Sequence, residues 1–244
     1  ELDSIPGSLG RAWRHGDWYA AVEGLVYDGF SEGNLVTAEP DLSQPFELAV
    51  DDGYIDPRAI LFIQRQAGGD IFVFDELYQT KTLEERSIQD VMAKCAGYAG
   101  APLPDTWSAM GLPECITWCR RNAVPLPQMA VASHEAVALR DRLSDASIKA
   151  VNWLSRQNPE KGSTRLAAIR LTRALICDGQ GYRAIKIHRR CRHLLDEISM
   201  GYRYPEGRNG MEEEPEDGND HACQALETFV WWHHGGQRKK AQVR

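Results

Sequence analysis

The residues best placed to do chemistry in this sequence are carboxylates at the ends of apolar runs. Asp51 closes the run FELAV, and Asp52, Gly53 and Asp56 follow it before a second run, RAILFIQ. Asp105 follows PLP, and Asp220 stands immediately before HACQAL. In an α/β sheet, strand ends and helix starts converge on one edge, so three acids far apart in sequence can meet there. Three hard oxygen donors suit Mg2+ or Mn2+ rather than zinc. Two such ions about 3.5–4 Å apart would activate a water and stabilise the leaving oxygen of a phosphodiester.

Each acid also has a plainer reading. Asp52-Gly53 is a hairpin-turn signal, and taken alone the segment favours a turn. Asp105 can start a turn, Asp220 can cap a helix, and His221 can be a polar residue of the first helical turn. Asp75 and Glu76, in FVFDELY, fit a strand edge, and MEEEPEDG fits a solvated acidic loop. Spacing alone favours a binding or scaffold domain over a metal nuclease. Phosphate-cradling, nucleophile-elbow, dinucleotide and zinc-protease motifs are all absent from the chain.

The elements that must position these acids follow from periodicity. Residues 46–51, RAILFIQRQ and IFVFDELY read as three strands joined by short turns, an antiparallel meander. From Thr82 the period becomes helical, with Thr82 and Glu85 as a capping box. APLPDTW reads as a short strand, PECITWCRRN as a helix, and AVPLPQM as a strand weakened by its prolines. Residues 133–176 read as mostly helical, YRAIKIH as a strand, and RRCRHLLDEISMGYRY and DHACQALETFVWWHH as helices. The order predicts an α/β fold with a mixed sheet whose first three strands are antiparallel, flanked by helices. Residues 1–40 read as a lead-in, 41–234 as the main domain and 235–244 as a disordered basic tail.

At 244 residues and 43% hydrophobic, the chain can bury a large core. Its net charge of −7 argues against a protein that coats nucleic acid everywhere, but leaves room for a local basic groove. No apolar stretch approaches the roughly 20 residues needed to span a bilayer, and no signal-peptide pattern opens the sequence. The six cysteines are scattered, which fits a reducing compartment. Cys115 and Cys119 share a helix face, and buried thiols are a better reading than half a zinc site.

The segments HGDWYAAVEGLVYDGF, AVDDGYIDPRAILFIQRQAGGDIFVFDELYQ, KIHRRCRHLLDEISMGYRY and EPEDGNDHACQALETFVWW occur in an order that resembles one known family. It is the nuclease domain of the large terminase subunit of tailed bacteriophages, and the resemblance runs over most of the chain. It implies an RNase H-like fold and a two-metal DNA endonuclease cutting concatemeric double-stranded DNA, with two Mg2+ or Mn2+ ions. By the same resemblance Asp51, Asp105 and Asp220 are the metal-binding acids, with Asp217 as a helper. Gln224 and Glu227 stand where the closing motif often has Asp and Arg, so those two partners do not carry over. The ATPase motifs are absent, so the resemblance implies an ATPase domain N-terminal to Glu1. Portal protein and small terminase subunit are the other implied partners, and the host cytoplasm the implied setting. Bringing DNA to an acidic cluster requires cations nearby. Lys149, Arg156, Lys161, Arg165, Arg170, Arg173, Arg183, Lys186, Arg189 and Arg190 make residues 149–190 the most basic region, with a solvated helix face as the alternative. A junction resolvase, an enzyme of the ribonuclease H type and a catalytically idle domain docking on a portal or motor partner are the competing readings.

Overall fold

The structure, a computed structural model, describes residues 24–156, 164–205 and 215–235. Its strands are β1 (Leu35–Val36), β2 (Glu47–Asp51), β3 (Arg58–Arg65), β4 (Ile71–Gln79), β5 (Met129–Ala132), β6 (Lys149–Asn152) and β7 (Ile185–His188). They form a single mixed sheet in the order β1-β7-β4-β3-β2-β5-β6. The meander β2–β3–β4 is antiparallel as expected, and β1, β5, β6 and β7 add in parallel. The helices are α1 (Glu84–Tyr98), α2 (Leu112–Arg121), α3 (Val137–Asp145), α4 (Thr164–Ile176), α5 (Arg192–Asp196) and α6 (His221–Val230). This is the RNase H-like mixed sheet flanked by helices.

Strand alternation sorts the core into two layers. On one face Ala49, Leu61, Val73, Val131 and Ile187 meet Ile169 of α4, Leu194 of α5 and Leu226 of α6. On the other, Leu48, Val50, Phe62, Phe74 and Ala132 meet Ile88 of α1, Cys115 of α2 and Leu139 of α3. Both faces are covered, so the central strands read as continuous apolar runs. Cys115 and Cys119 lie in the second layer as buried thiols, and burial pushes the Cys119 thiol up to about 11.

Several boundaries differ from the sequence reading. APLPDTW is a loop with one short turn at Trp107–Ala109, since its prolines cannot donate to a ladder. The prolines of AVPLPQM likewise precede β5, which starts only at Met129. The capping box at Thr82 does not form: α1 starts at Glu84, and the Thr82 hydroxyl donates to Thr80 O. Residues 133–176 include β6, a strand the helical reading passed over.

The lead-in assigned to residues 1–40 also extends too far. Val26, Tyr27 and Phe30 are core residues, and β1 is an edge of the sheet. Cations hold this segment down: Arg173 donates twice to Val26 O, at 2.8 and 2.6 Å, and Lys186 donates to Gly33 O at 2.8 Å. Arg183 donates to Gly29 O and Asn34 Oδ1. The tail assigned to 235–244 lies outside the described residues beyond Gly235.

Candidate active site

Asp51 is the last residue of β2 and continues the Ala49 row, on the face that α6 covers. Here α6 supplies its first residue: His221 Nδ1 lies 3.2 Å from Asp51 Oδ2. The two other acids of AVDDGYIDP go elsewhere. The Asp52 carboxylate accepts from Nε of buried Arg58, and Asp56 is exposed in the loop. That loop runs from Asp52 to Pro57, so Asp52-Gly53 does not form a two-residue hairpin turn. Gly53 is required for another reason, since a Cβ there would sit 2.5 Å from Asp56 O. Asp51 is thus the acid that faces the helix.

Burial pushes the Asp51 carboxyl above its ordinary range, and the nearby charges of Asp220 and Asp52 add to this. The His221 hydrogen bond works against them. His221 is raised in turn, chiefly by its hydrogen bond to Asp51. The pair lies in a largely enclosed crevice, with side-chain exposures of 13% for His221 and 15% for Asp51, which suits proton transfer as well as cation binding.

Asp220 reaches the same edge but is 1% exposed and fully engaged. Its Oδ2 accepts from Arg165 Nη2 at 2.8 Å and from Gln224 Nε2 at 2.5 Å, and its Oδ1 from Gly218 N at 3.3 Å. It occupies the N-cap position without a side-chain cap bond. Asp217 is exposed, 3.6 Å from Arg165 Nη1. Asp105 does not join these residues. It is exposed in the loop between α1 and α2, where neighbouring Trp107 packs into the opposite layer.

The residue that register brings beside Asp51 is Ser133. β5 runs parallel to β2 with Ala132 opposite Val50, so Ser133 follows next to Asp51. It extends the row of Val131, the face that Asp51 also takes. Ser133 N donates to Val50 O at 2.9 Å, and its Oγ accepts from Asp52 N at 3.2 Å. Among the described residues, no group of three or more His, Cys, Asp or Glu side chains is arranged to hold a metal ion. The donor set therefore fits one divalent ion on Asp51, because Mg2+ keeps several waters and needs only one or two carboxylates. Among the described residues it provides no carboxylates for the expected second ion.

Other side chains complete the edge. Tyr78 of β4 lies across Ala59 from Asp51, and its hydroxyl donates to Glu197 Oε1 at 2.9 Å. The Tyr78 ring stacks on His193 at 4.3 Å and meets His221 edge-on at 6.5 Å. Tyr78, His193, Asp196, Glu197 and Asn219 line a cleft of about 430 Å3. Burial raises Glu197, although Cys223 N donates to its Oε2 at 2.9 Å. Sequence reasoning missed Tyr78, Ser133 and Glu197. No period-2 row points to Tyr78, because a register shift in the β3–β4 pairing moves the alternation after Val73, and Ser133 needed the pairing of β5 with β2.

The basic region is put to several uses. Arg165 binds Asp220, Arg189 donates to Glu32, and Arg190 to Glu39. Arg173, Arg183 and Lys186 hold the 24–36 segment, as above. Lys149 is exposed on β6, Arg170 is exposed on α4, and Arg156 ends the turn after β6. Lys161 lies outside the described residues.

Behind the site, Glu227 is buried and accepts a hydrogen bond from the Tyr27 hydroxyl. Burial pushes its carboxyl up to about 8, against the pull of Tyr27 and Arg165. Folding therefore takes up a proton at neutral pH. Stability from this group is complete below its ordinary value of 4.5 and is lost as pH rises through about 8. Glu227→Gln keeps an acceptor for Tyr27 and removes the titration. It is expected to flatten the fall in melting temperature from pH 5 to 8.5, a difference worth about 2–4 kcal/mol, read by thermal melts at both ends.

No protein-family model matches this sequence, and no curated protein matches it. Solved structures do match the fold. The large terminase of a thermophilic bacteriophage aligns with a TM-score of 0.59 at 15% identity, covering 85% of this chain and 44% of its own. The P22 large terminase nuclease domain aligns with a TM-score of 0.55 at 13% identity, covering 84% of this chain and 90% of its own. The large terminase nuclease of thermophilic phage G20c, with bound cobalt, aligns with a TM-score of 0.51 at 13% identity, covering 86% and 98%. The chain spans less than half the length of the first of these proteins, and nearly all of the two nuclease domains. Its fold is that of the large terminase nuclease domain.

Proposed function

We propose that this chain is a metal-dependent DNA endonuclease domain of a viral genome-packaging terminase, hydrolysing phosphodiesters at the edge where Asp51 meets α6. The observation that carries the reading is the convergence of Asp51, His221 and Asp220 on one sheet edge of this fold. The cobalt in the G20c nuclease supports a divalent cation as cofactor. Mg2+ or Mn2+ would take Asp51 as its carboxylate ligand and supply an electrophile for the phosphate and an acidified water. His221 holds the Asp51 carboxylate in place and is positioned to carry a proton near the scissile bond. Arg165 fixes Asp220 at the start of α6 and so sets where His221 stands. On this proposal the substrate is concatemeric double-stranded DNA. The domain then works beside an ATPase domain, a portal protein and a small terminase subunit in the host cytoplasm. No described helix is long and apolar enough to cross a membrane.

The test is plasmid DNA incubated with Mn2+ or Mg2+, with EDTA as control. Metal-dependent nicking is expected, and nicking that persists in EDTA argues against the reading. Asp105→Ala, remote from the edge, is expected to change the rate by no more than about twofold. A large loss in that variant would restore Asp105 to the site.

One observation favours a second reading, a catalytically idle domain that docks on a portal or motor partner. Ser133 stands beside Asp51, and Arg165 covers Asp220, so among the described residues the edge is poorer in free carboxylates than two-ion cleavage requires. Absence of nicking with every divalent ion, in a domain that melts cooperatively, would favour it.

A further inference from the structure

We infer that the described residues of this edge hold at most one divalent ion rather than a pair, and that Ser133 is the residue that sets this count. The inference rests on the reading of the Asp51 edge as a cation site and goes beyond it in stating the capacity of that site.

Two ions held about 3.5–4 Å apart need carboxylates on both sides of the shared one, because each ion brings two charges into a crevice already short of water. The sheet provides one obvious place for the second carboxylate: the end of β5, which parallel register puts beside Asp51 on the same face. Ser133 occupies that place. Its hydroxyl is neutral, and its lone pairs already face Asp52 N at 3.2 Å. It cannot offset the charge of a second ion.

The far side is closed independently. Both Asp220 oxygens are engaged, with the Arg165 guanidinium 2.8 Å from Oδ2. Arg165 is itself partly enclosed, with side-chain exposure of 26%, and its Nε is a buried donor without a hydrogen-bond partner. An ion seeking Asp220 must displace this fixed positive charge. Ser133 is the simpler element to change. It follows the last residue of a strand, is small, and borders the solvent-facing loop of Asp52. A carboxylate there keeps an acceptor for Asp52 N.

The experiment is Mn2+ titration of the whole chain, counting bound ions by calorimetry and by loss of the free-ion electron-spin signal, without any cleavage readout. The wild type is expected to bind no more than one ion. Ser133→Asp is expected to bind one more than the wild type, and Ser133→Asn, equal in shape but uncharged, to match the wild type. Two ions in the wild type would overturn the inference while leaving the nuclease reading intact. A Ser133→Asp variant that melts like the wild type and gains no ion would overturn the role of Ser133. The wild-type count stands as a test even if that variant folds poorly. Plasmid nicking measured in parallel separates the two ideas, since a wild type that nicks with one ion supports both.

Discussion

Asp51→Asn is expected to lower metal-dependent nicking by about 100-fold or more while leaving the fold intact. Of Asp51, Asp52 and Asp220, Asp51 is the one without an arginine partner: Asp52 has Arg58 and Asp220 has Arg165. Burial and two neighbouring carboxylates raise its energy in the ionised form. The native fold therefore gains little from that charge, and its cost is consistent with a functional role. Asn keeps an oxygen for His221 and removes the charge a cation needs. The melting temperature should stay the same or rise, which separates lost chemistry from lost structure. A variant that cleaves at the wild-type rate would move the site away from this strand end.

Arg58→Met is expected to destabilise the domain by about 3–5 kcal/mol, measured by urea unfolding. Arg58 is one of the largest fully buried side chains, 1% exposed. Its guanidinium meets Asp52, donates to Thr82 O at 2.9 Å and Ser87 Oγ at 2.7 Å, and lies 3.4 Å from Glu84 Oε1. It therefore joins the β2–β3 loop to the start of α1. Met fills much of the volume, but Asp52 is left nearly buried with no cation, and that uncompensated charge dominates the cost. Loss of this anchor should also loosen the end of β2. Cleavage should then fall even at temperatures where most molecules are folded. A change under about 1 kcal/mol would show that the loop is held by other contacts.

The strands of the meander were legible because apolar runs of β-branched and aromatic residues, separated by turn residues, leave little choice. The same run pattern hid which acid faces the site. FELAVDDGYIDP offers three, and only the pairing of Asp52 with Arg58 and the seat of α6 single out Asp51. Asp105 illustrates the opposite failure. Its local signal, an acid after an apolar Pro-containing stretch, depended on a strand that the prolines do not allow. β6 was missed because KAVN is too short to show a period. Ser133 has no chemical signature in sequence; its meaning comes from register with a strand about 80 positions away. The basic residues after position 149 were legible as charge but not as contacts. Arg173, Arg183 and Lys186 hold down backbone carbonyls of the 24–36 segment, a task no charge count discloses.

The most direct test of the central claim is an anomalous difference map from crystals of the chain soaked in Mn2+. A peak is expected within coordinating distance of the Asp51 carboxylate, about 2.0–2.2 Å, at the edge shared with His221. The same peak should be missing from Asp51→Asn crystals. A peak elsewhere, at Asp105 for instance, with nothing at Asp51, would contradict it.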